Sequence, residues 1–205
     1  MYKLAVIGTH GIGKTTLCQS LASRLQRVQE GLVTLGPEDI RECPYPTQEK
    51  MTYEASEWYV SSKVWYERWS EREGFKYMVC DRSAYDTIPY LETLGRESMK
   101  ENAAISYALK LFAEEYLFTY DLLVFVRPSQ EEVPPDGFRM TDKKIQLEID
   151  ANFATYFEDF AEWSQERTRY IPMLGRCEVI QVESKRIFDD IDGLVKEILD
   201  RTNKT

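Results

Sequence analysis

The sequence predicts an α/β protein, a three-layer α/β/α domain in which helices cover both faces of a five-stranded parallel sheet. Two observations carry this expectation. Five apolar runs of four to six residues alternate along the chain with segments whose apolar residues recur at helical spacing. The fourth run, LLVFV at 122–126, is apolar throughout, the pattern of a strand covered on both faces. Right-handed crossovers through the intervening helices connect such strands.

The elements follow in order. YKLAVI at 2–7 is the first strand and stops at Gly8. Beyond Lys14, the residues Leu17, Leu21, Ala22, Leu25 and Val28 line one side of a helix. GLVTL at 31–35 is a weaker strand, stopped by Gly36-Pro37. Thr47 opens a long helical stretch in which Met51, Ala55, Trp58, Tyr59, Val64, Trp65 and Trp69 form one broad apolar and aromatic face, ended by Glu73-Gly74. YMVC at 77–80 is the third strand and runs into Asp81-Arg82-Ser83; a helix over 99–117 precedes the fourth strand. Residues 127–142 carry three prolines and a glycine without periodicity and read as a loop. A helix with Phe153, Tyr156, Phe157, Phe160 and Trp163 leads to the last strand, EVIQV at 178–182. Ser184 is the expected N-cap of a closing helix bearing Ile187, Ile191, Leu194, Val195 and Ile198. No linker, composition break or repeat divides residues 1–205, so one domain is expected.

Bulk properties narrow the function classes. With 43% hydrophobic and 30% charged residues, the chain has the composition of a soluble globular protein. No apolar run approaches the roughly 18–20 residues that cross a bilayer, and the start lacks the pattern of a signal peptide. The cytoplasm is the default compartment and no membrane partner is expected. Cys18, Cys43, Cys80 and Cys177 are scattered without metal or redox spacing and read as small hydrophobes. A net charge of −9 argues against binding of long nucleic acid, whose phosphates reward a basic surface.

The most specific signal is GTHGIGKT at 8–15, a complete match to G-x-x-x-x-G-K-[ST] with a strand before it and a helix after it. Such a P-loop binds a nucleoside triphosphate, here expected to be ATP with Mg²⁺, through Gly8, Thr9, His10, Gly11, Ile12, Gly13, Lys14, Thr15 and Thr16. Glycines let backbone amides converge on the phosphates, and the helix N-terminus adds positive charge. Lys14 is expected on the β- and γ-phosphates and the Thr15 hydroxyl on magnesium. His10, the only histidine, is read as a polar loop residue, with general-base catalysis as the alternative.

Asp81 closes the third strand, at the edge where open α/β sheets bind ligands. It can hold Mg²⁺ or accept a proton from an attacking hydroxyl, and Arg82 can stabilise charge on a transferring phosphoryl group. A local Asp-Arg ion pair with Ser83 as a helix cap is the plainer alternative. The P-loop followed by an apolar strand and Asp-Arg-Ser resembles thymidylate kinases and deoxynucleoside kinases. DRSAYDTIPY at 81–90 is more similar to the nicotinamide riboside kinase domain of NadR and related small ATPase and kinase domains. Two further patches extend this resemblance: Glu38-Asp39-Ile40-Arg41-Glu42, like the E-x-x-R segment lining an acceptor site, and Asp136-Gly137-Phe138-Arg139, like a D-G-x-R segment. The deoxynucleoside kinases typically carry Glu-Arg-Ser instead, and no arginine-dense lid is present.

The resemblance implies a kinase that transfers the γ-phosphate of ATP to a nucleoside, nucleotide or related small metabolite. Lys14, Asp81, Arg82 and Arg139 are the expected catalytic residues. Glu38, Arg41 and Arg82 are expected at the acceptor, and Thr15 and Asp81 at the metal. Residues 127–142 would form a lid that carries Arg139, with Arg127 a weaker candidate for stacking on the base. The aromatics Tyr59, Trp65, Tyr66 and Trp69 would either pack in the core or stack on an acceptor ring. An NTPase switch working with a protein partner and a nucleic-acid end kinase are the alternatives. A standard GTPase is disfavoured because Asn203-Lys204 is followed only by Thr205. A monomer or a homodimer is compatible with these features.

Overall fold

The structure, a computed structural model, describes residues 1–28, 33–36, 39–47, 50–129, 142–170 and 177–202. Five strands, β1 (Tyr2–Ile7), β2 (Val33–Gly36), β3 (Tyr77–Asp81), β4 (Leu122–Arg127) and β5 (Glu178–Glu183), form one sheet in the order β2-β3-β1-β4-β5. All pairings are parallel, as expected. Helix α1 (Lys14–Val28) follows β1, α2 (Tyr53–Arg72) precedes β3, and α3 (Thr87–Leu94), α4 (Arg96–Glu101) and α5 (Ala103–Leu117) lie between β3 and β4. Helix α6 (Lys143–Tyr170) precedes β5, and α7 (Ser184–Asp189) and α8 (Ile191–Thr202) close the described chain.

Period-two alternation divides the strand residues between two cores. Leu4 and Val6 of β1 join Leu17, Leu21 and Leu25 of α1 and Leu194, Val195 and Ile198 of α8 on one face. Ala5 and Ile7 join Val60 of α2, Tyr116 and Leu117 of α5, and Phe153 and Phe157 of α6 on the other. The sheet is therefore covered on both faces, giving the three-layer α/β/α architecture. Among the described residues no helix is long and apolar enough to cross a membrane. Cys18, Cys80 and Cys177 are buried free thiols, and Cys43 is half-buried.

Several elements differ from expectation, each for a local reason. The long helix starts at Tyr53 rather than Thr47, because the Thr52 hydroxyl accepts from the Ala55 amide at 3.2 Å and caps it. Its inner face is more polar than the apolar count suggested. Lys63, Glu67, Ser56 and Ser70 are buried, whereas Trp65 and Trp69 are 68% and 39% exposed. Glu67 can be buried because Lys3 Nζ, at 2.9 Å, and the Tyr120 hydroxyl, at 2.6 Å, both donate to it. The expected helix at 99–117 is preceded by α3, which ends at Gly95, and is itself broken at Asn102 into α4, which starts earlier at Arg96, and α5. Ser184 is the first residue of α7 and Glu183 sits at the cap; the Ser184 hydroxyl accepts instead from the Ser129 amide at 2.8 Å. The closing helix is interrupted at Asp190, whose carboxylate accepts from the Gly193 amide at 3.0 Å and starts α8.

Candidate active site

β1 is the central strand, and the chain leaves its carboxyl end directly into the glycine-rich loop. Gly8 has φ +130°, and a Cβ there would stand 2.4 Å from the Val126 carbonyl oxygen of β4. Only glycine allows both the backbone angle and that approach. Gly13 has φ +84° and turns the chain into α1, where the Leu17 amide donates to the Gly13 carbonyl at 3.0 Å. Lys14 is the first residue of α1; its buried ammonium reaches across the loop to the Thr9 carbonyl. Ile12 and Thr9 are buried, Gly11 and Thr15 half-buried, and Thr16 exposed.

His10 is buried and fastened from two sides. Its Nδ1 lies 3.3 Å from the Tyr90 hydroxyl of α3, and its carbonyl accepts from Gln146 Nε2 of α6 at 2.7 Å. The loop is thereby braced against two helices of the opposite layer.

β3 lies beside β1, with Asp81 in register with Val6. Asp81 is 3% exposed, and its Oδ1 has no hydrogen-bond partner among the described residues. Its main-chain carbonyl accepts from Lys63 Nζ of α2 at 2.7 Å. One residue back, the Cys80 carbonyl faces the Cys18 thiol of α1 at 3.6 Å, so the start of α1 packs over this strand end. Burial, with the Asp81 charge nearby, pushes the Cys18 thiol well above its ordinary range and keeps it protonated.

Arg82 is the one non-glycine residue with positive φ among the described residues, at +74°. Its amide donates to the Val6 carbonyl at 3.0 Å, extending the β1–β3 ladder past the last strand residue. A left-handed arginine is strained, and such strain concentrates at functional sites. The guanidinium approaches Asp86 Oδ1 at 3.8 Å and lies 5.9 Å from the centre of the Tyr90 ring.

Asp86 joins the two segments. Its Oδ2 accepts from the Ser83 amide at 2.9 Å and hydroxyl at 2.8 Å, while Oδ1 faces the Gly8 amide at 3.3 Å. Burial pushes its carboxyl above the ordinary carboxylate range, against the pull of Arg82, Lys14 and the Ser83 hydrogen bonds.

Lys14, Thr15, Asp81 and Arg82 thus belong to the adjoining carboxyl ends of β1 and β3. That edge adjoins the point where the strand order turns from β3 toward β4, the usual ligand site of such sheets. Arg127 is not free to stack on a base. It grips Asp150 of α6 through Nε at 2.8 and 3.0 Å and Nη2 at 2.5 Å. Tyr59 is buried, with Lys63 Nζ 5.7 Å from its ring centre, whereas Tyr66 binds Thr34 Oγ1 at 3.0 Å beside the exposed Trp69. Glu38, Asp136, Gly137, Phe138 and Arg139 lie outside the described residues. Of Arg41 only the backbone is described, within a short 3-10 turn at Asp39–Glu42.

Asp86, Lys63 and Tyr90 were not singled out from the sequence. The spacing Ser83-x-x-Asp86 is a capping-box variant, a signal that could have pointed to Asp86 as a local partner of Ser83. Lys63 gave no such signal, since a helix lysine is normally solvated.

Comparison with solved structures returns proteins of this fold. Deoxyadenosine kinase from M. mycoides, with dCMP and a flexible dCDP bound, superposes with a TM-score of 0.61 at 14% identity over 98% of each chain. The same kinase with dATP bound gives 0.63 at 13% identity, covering 99% of this chain and 100% of that one. Thymidylate kinase from Ehrlichia chaffeensis gives 0.57 at 18% identity over 98% of each chain. No curated protein matches the chain in sequence. The family model described as AAA domain matches residues 3–170, most of the chain. With the three-layer fold of P-loop nucleoside and nucleotide kinases, the chain belongs to the AAA domain family.

Proposed function

We propose that the chain is an ATP- and magnesium-dependent phosphotransferase acting on a nucleoside, a nucleotide or a related small metabolite. One observation carries this reading. At the ends of neighbouring strands, a glycine-built loop with the buried Lys14 adjoins a buried carboxylate, Asp81, one oxygen of which has no hydrogen-bond partner among the described residues. Fixed amides, an ammonium and an available carboxylate are what phosphoryl transfer asks of a protein, because positioning and charge stabilisation supply most of the catalysis.

In this reading the loop amides and Lys14 bind the β- and γ-phosphates. The acceptor oxygen attacks the γ-phosphorus in line as the bond to the β–γ bridging oxygen breaks and ADP leaves. The acceptor proton passes to the Asp81 carboxylate when that group serves as base. Arg82 offsets charge on the transferring group, with Arg139 as a second cation carried by the 127–142 segment. Glu38 and Arg41 are proposed on the acceptor side.

The residues present fit a magnesium ion. Asp81 Oδ1 is a buried carboxylate oxygen without a hydrogen-bond partner among the described residues, and the Thr15 hydroxyl stands in the first turn of α1. Bound there, the ion would neutralise phosphate charge.

The test is a panel assay. The protein is incubated with Mg-ATP and candidate nucleosides, nucleotides, nicotinamide riboside and RNA or DNA ends, and transfer of the γ-phosphate is followed. A phosphorylated small molecule supports the proposal. ADP release with no phosphorylated product would replace it with hydrolysis.

A further inference from the structure

We propose that Asp86 is a positioning residue for phosphoryl transfer, holding Arg82 against the first amide of the phosphate-binding loop through one carboxylate oxygen. The inference rests on the kinase reading above and deepens it.

The two oxygens of Asp86 have separate surroundings. Oδ2 accepts from the amide and hydroxyl of Ser83 at 2.9 and 2.8 Å and completes the cap of the short turn Ala84–Asp86. A cap needs no more than that. Oδ1 is turned the other way, 3.3 Å from the Gly8 amide and 3.8 Å from Arg82 Nη1. The group is 1% exposed, so water does not screen these contacts as it would at the surface. One buried charge therefore touches the phosphate loop at its first glycine and the arginine proposed to offset phosphoryl charge.

Two neighbours make the coupling directional. The Arg82 backbone is held at φ +74° and its amide is tied to Val6 at 3.0 Å, which fixes where the side chain leaves the main chain. Tyr90 lies under the guanidinium, and its hydroxyl is 3.3 Å from His10 Nδ1 of the loop. Arg82 thus meets the loop through Asp86 on one side and through Tyr90 on the other.

The contact with Asp86 also differs from a structural clamp. Arg127 binds Asp150 through two nitrogens at 2.5–3.0 Å. Arg82 stands 3.8 Å from Asp86, longer than a hydrogen bond. At this distance the carboxylate keeps the guanidinium near the loop by charge rather than by a direct hydrogen bond.

The experiment is a double-mutant cycle on the full chain with Mg-ATP, reading ATP consumption and, with the acceptor found in the panel, phosphate transfer. Asp86→Asn keeps an oxygen for the Ser83 cap and removes the charge. It is expected to bind ATP within about threefold of wild type while kcat falls about tenfold or more, since the lost interaction matters mainly in the transition state. Arg82→Ala is expected to lose at least as much. The double variant should lose no more than Arg82→Ala alone, because Asp86 acts through Arg82. Ser83→Ala separates cap from coupling: the melting temperature falls while kcat stays within about threefold, and this variant carries the test if Asp86→Asn does not fold. Multiplying losses in the double variant, wild-type kcat in Asp86→Asn, or an equal kcat loss in Ser83→Ala would overturn the proposal. A wild-type protein that consumes no ATP overturns the kinase reading with it; ATP turnover with an additive cycle overturns this inference alone.

Discussion

The ammonium of Lys63 donates to the main-chain oxygen of Asp81 at 2.7 Å, so α2 holds the end of the strand that carries the candidate carboxylate. Lys63 is 1% exposed, and a buried ammonium persists only where its hydrogen bonds are satisfied. Lys63→Met keeps most of the side-chain volume and removes the donor. The expected cost is about 1.5–3 kcal/mol, the scale of a hydrogen bond from a charged group, together with a slower transfer step. Urea unfolding measures the first and the panel assay the second; an unchanged unfolding midpoint would mean that the contact contributes nothing.

Lys14→Ala removes the ammonium that spans the loop to the Thr9 carbonyl. Transfer is expected to fall by about 10²–10³ or more, as for the loss of a group that stabilises transition-state charge. The far-UV circular dichroism spectrum should be that of wild type. Full activity with ATP would remove the phosphate-loop assignment altogether.

Gly8→Ala is expected to damage binding and stability together. The backbone angle of +130° alone costs a side chain about 1–3 kcal/mol, and the added methyl meets the Val126 carbonyl at 2.4 Å. Thermal unfolding and ATP titration should both shift. A variant that binds ATP as wild type does would contradict the tight approach of the loop to β4.

Asp86 gives a pH signature. Burial raises its carboxyl above the ordinary value of 3.8, against Arg82 and Lys14. The unfolded chain therefore releases this proton first as pH rises. The group's stabilising contribution is complete below 3.8 and is lost as pH climbs through the folded-state value. Asp86→Asn lacks this loss. The unfolding free energy of wild type minus that of the variant should fall with rising pH across this window, measured by urea titration on either side of it. A difference that is flat with pH would argue that the buried carboxyl titrates as it does in the unfolded chain.

Much of the frame was legible because it rests on local chemistry. Strands such as β4 announce themselves by an unbroken apolar run, here LLVFV at 122–126, and the loop before Lys14 by its glycines. The inner face of α2 was not legible, because Lys63 and Glu67 are buried by partners distant in sequence, Asp81 and Lys3. Apolar counting assigned that face to Trp65 and Trp69, which the fold leaves outside. Arg127 likewise read as a ligand group until α6 brought Asp150 to it. Asp81 and Arg82 were marked by their position after a strand, whereas the left-handed backbone of Arg82 has no counterpart in residue type.

The central place of β1 bears on how the protein is made. Leu4 pairs with Val79 on one side and Leu122 on the other, and no neighbouring segment in sequence supplies a partner. A chain emerging from the ribosome therefore carries its phosphate-binding segment for many residues before the sheet around it can form. Gly8 acquires its close approach to Val126 only once β4 has been synthesised. Nucleotide binding should thus appear late and abruptly along a series of nascent chains, after β4 is released, rather than growing with length from the first helix onward.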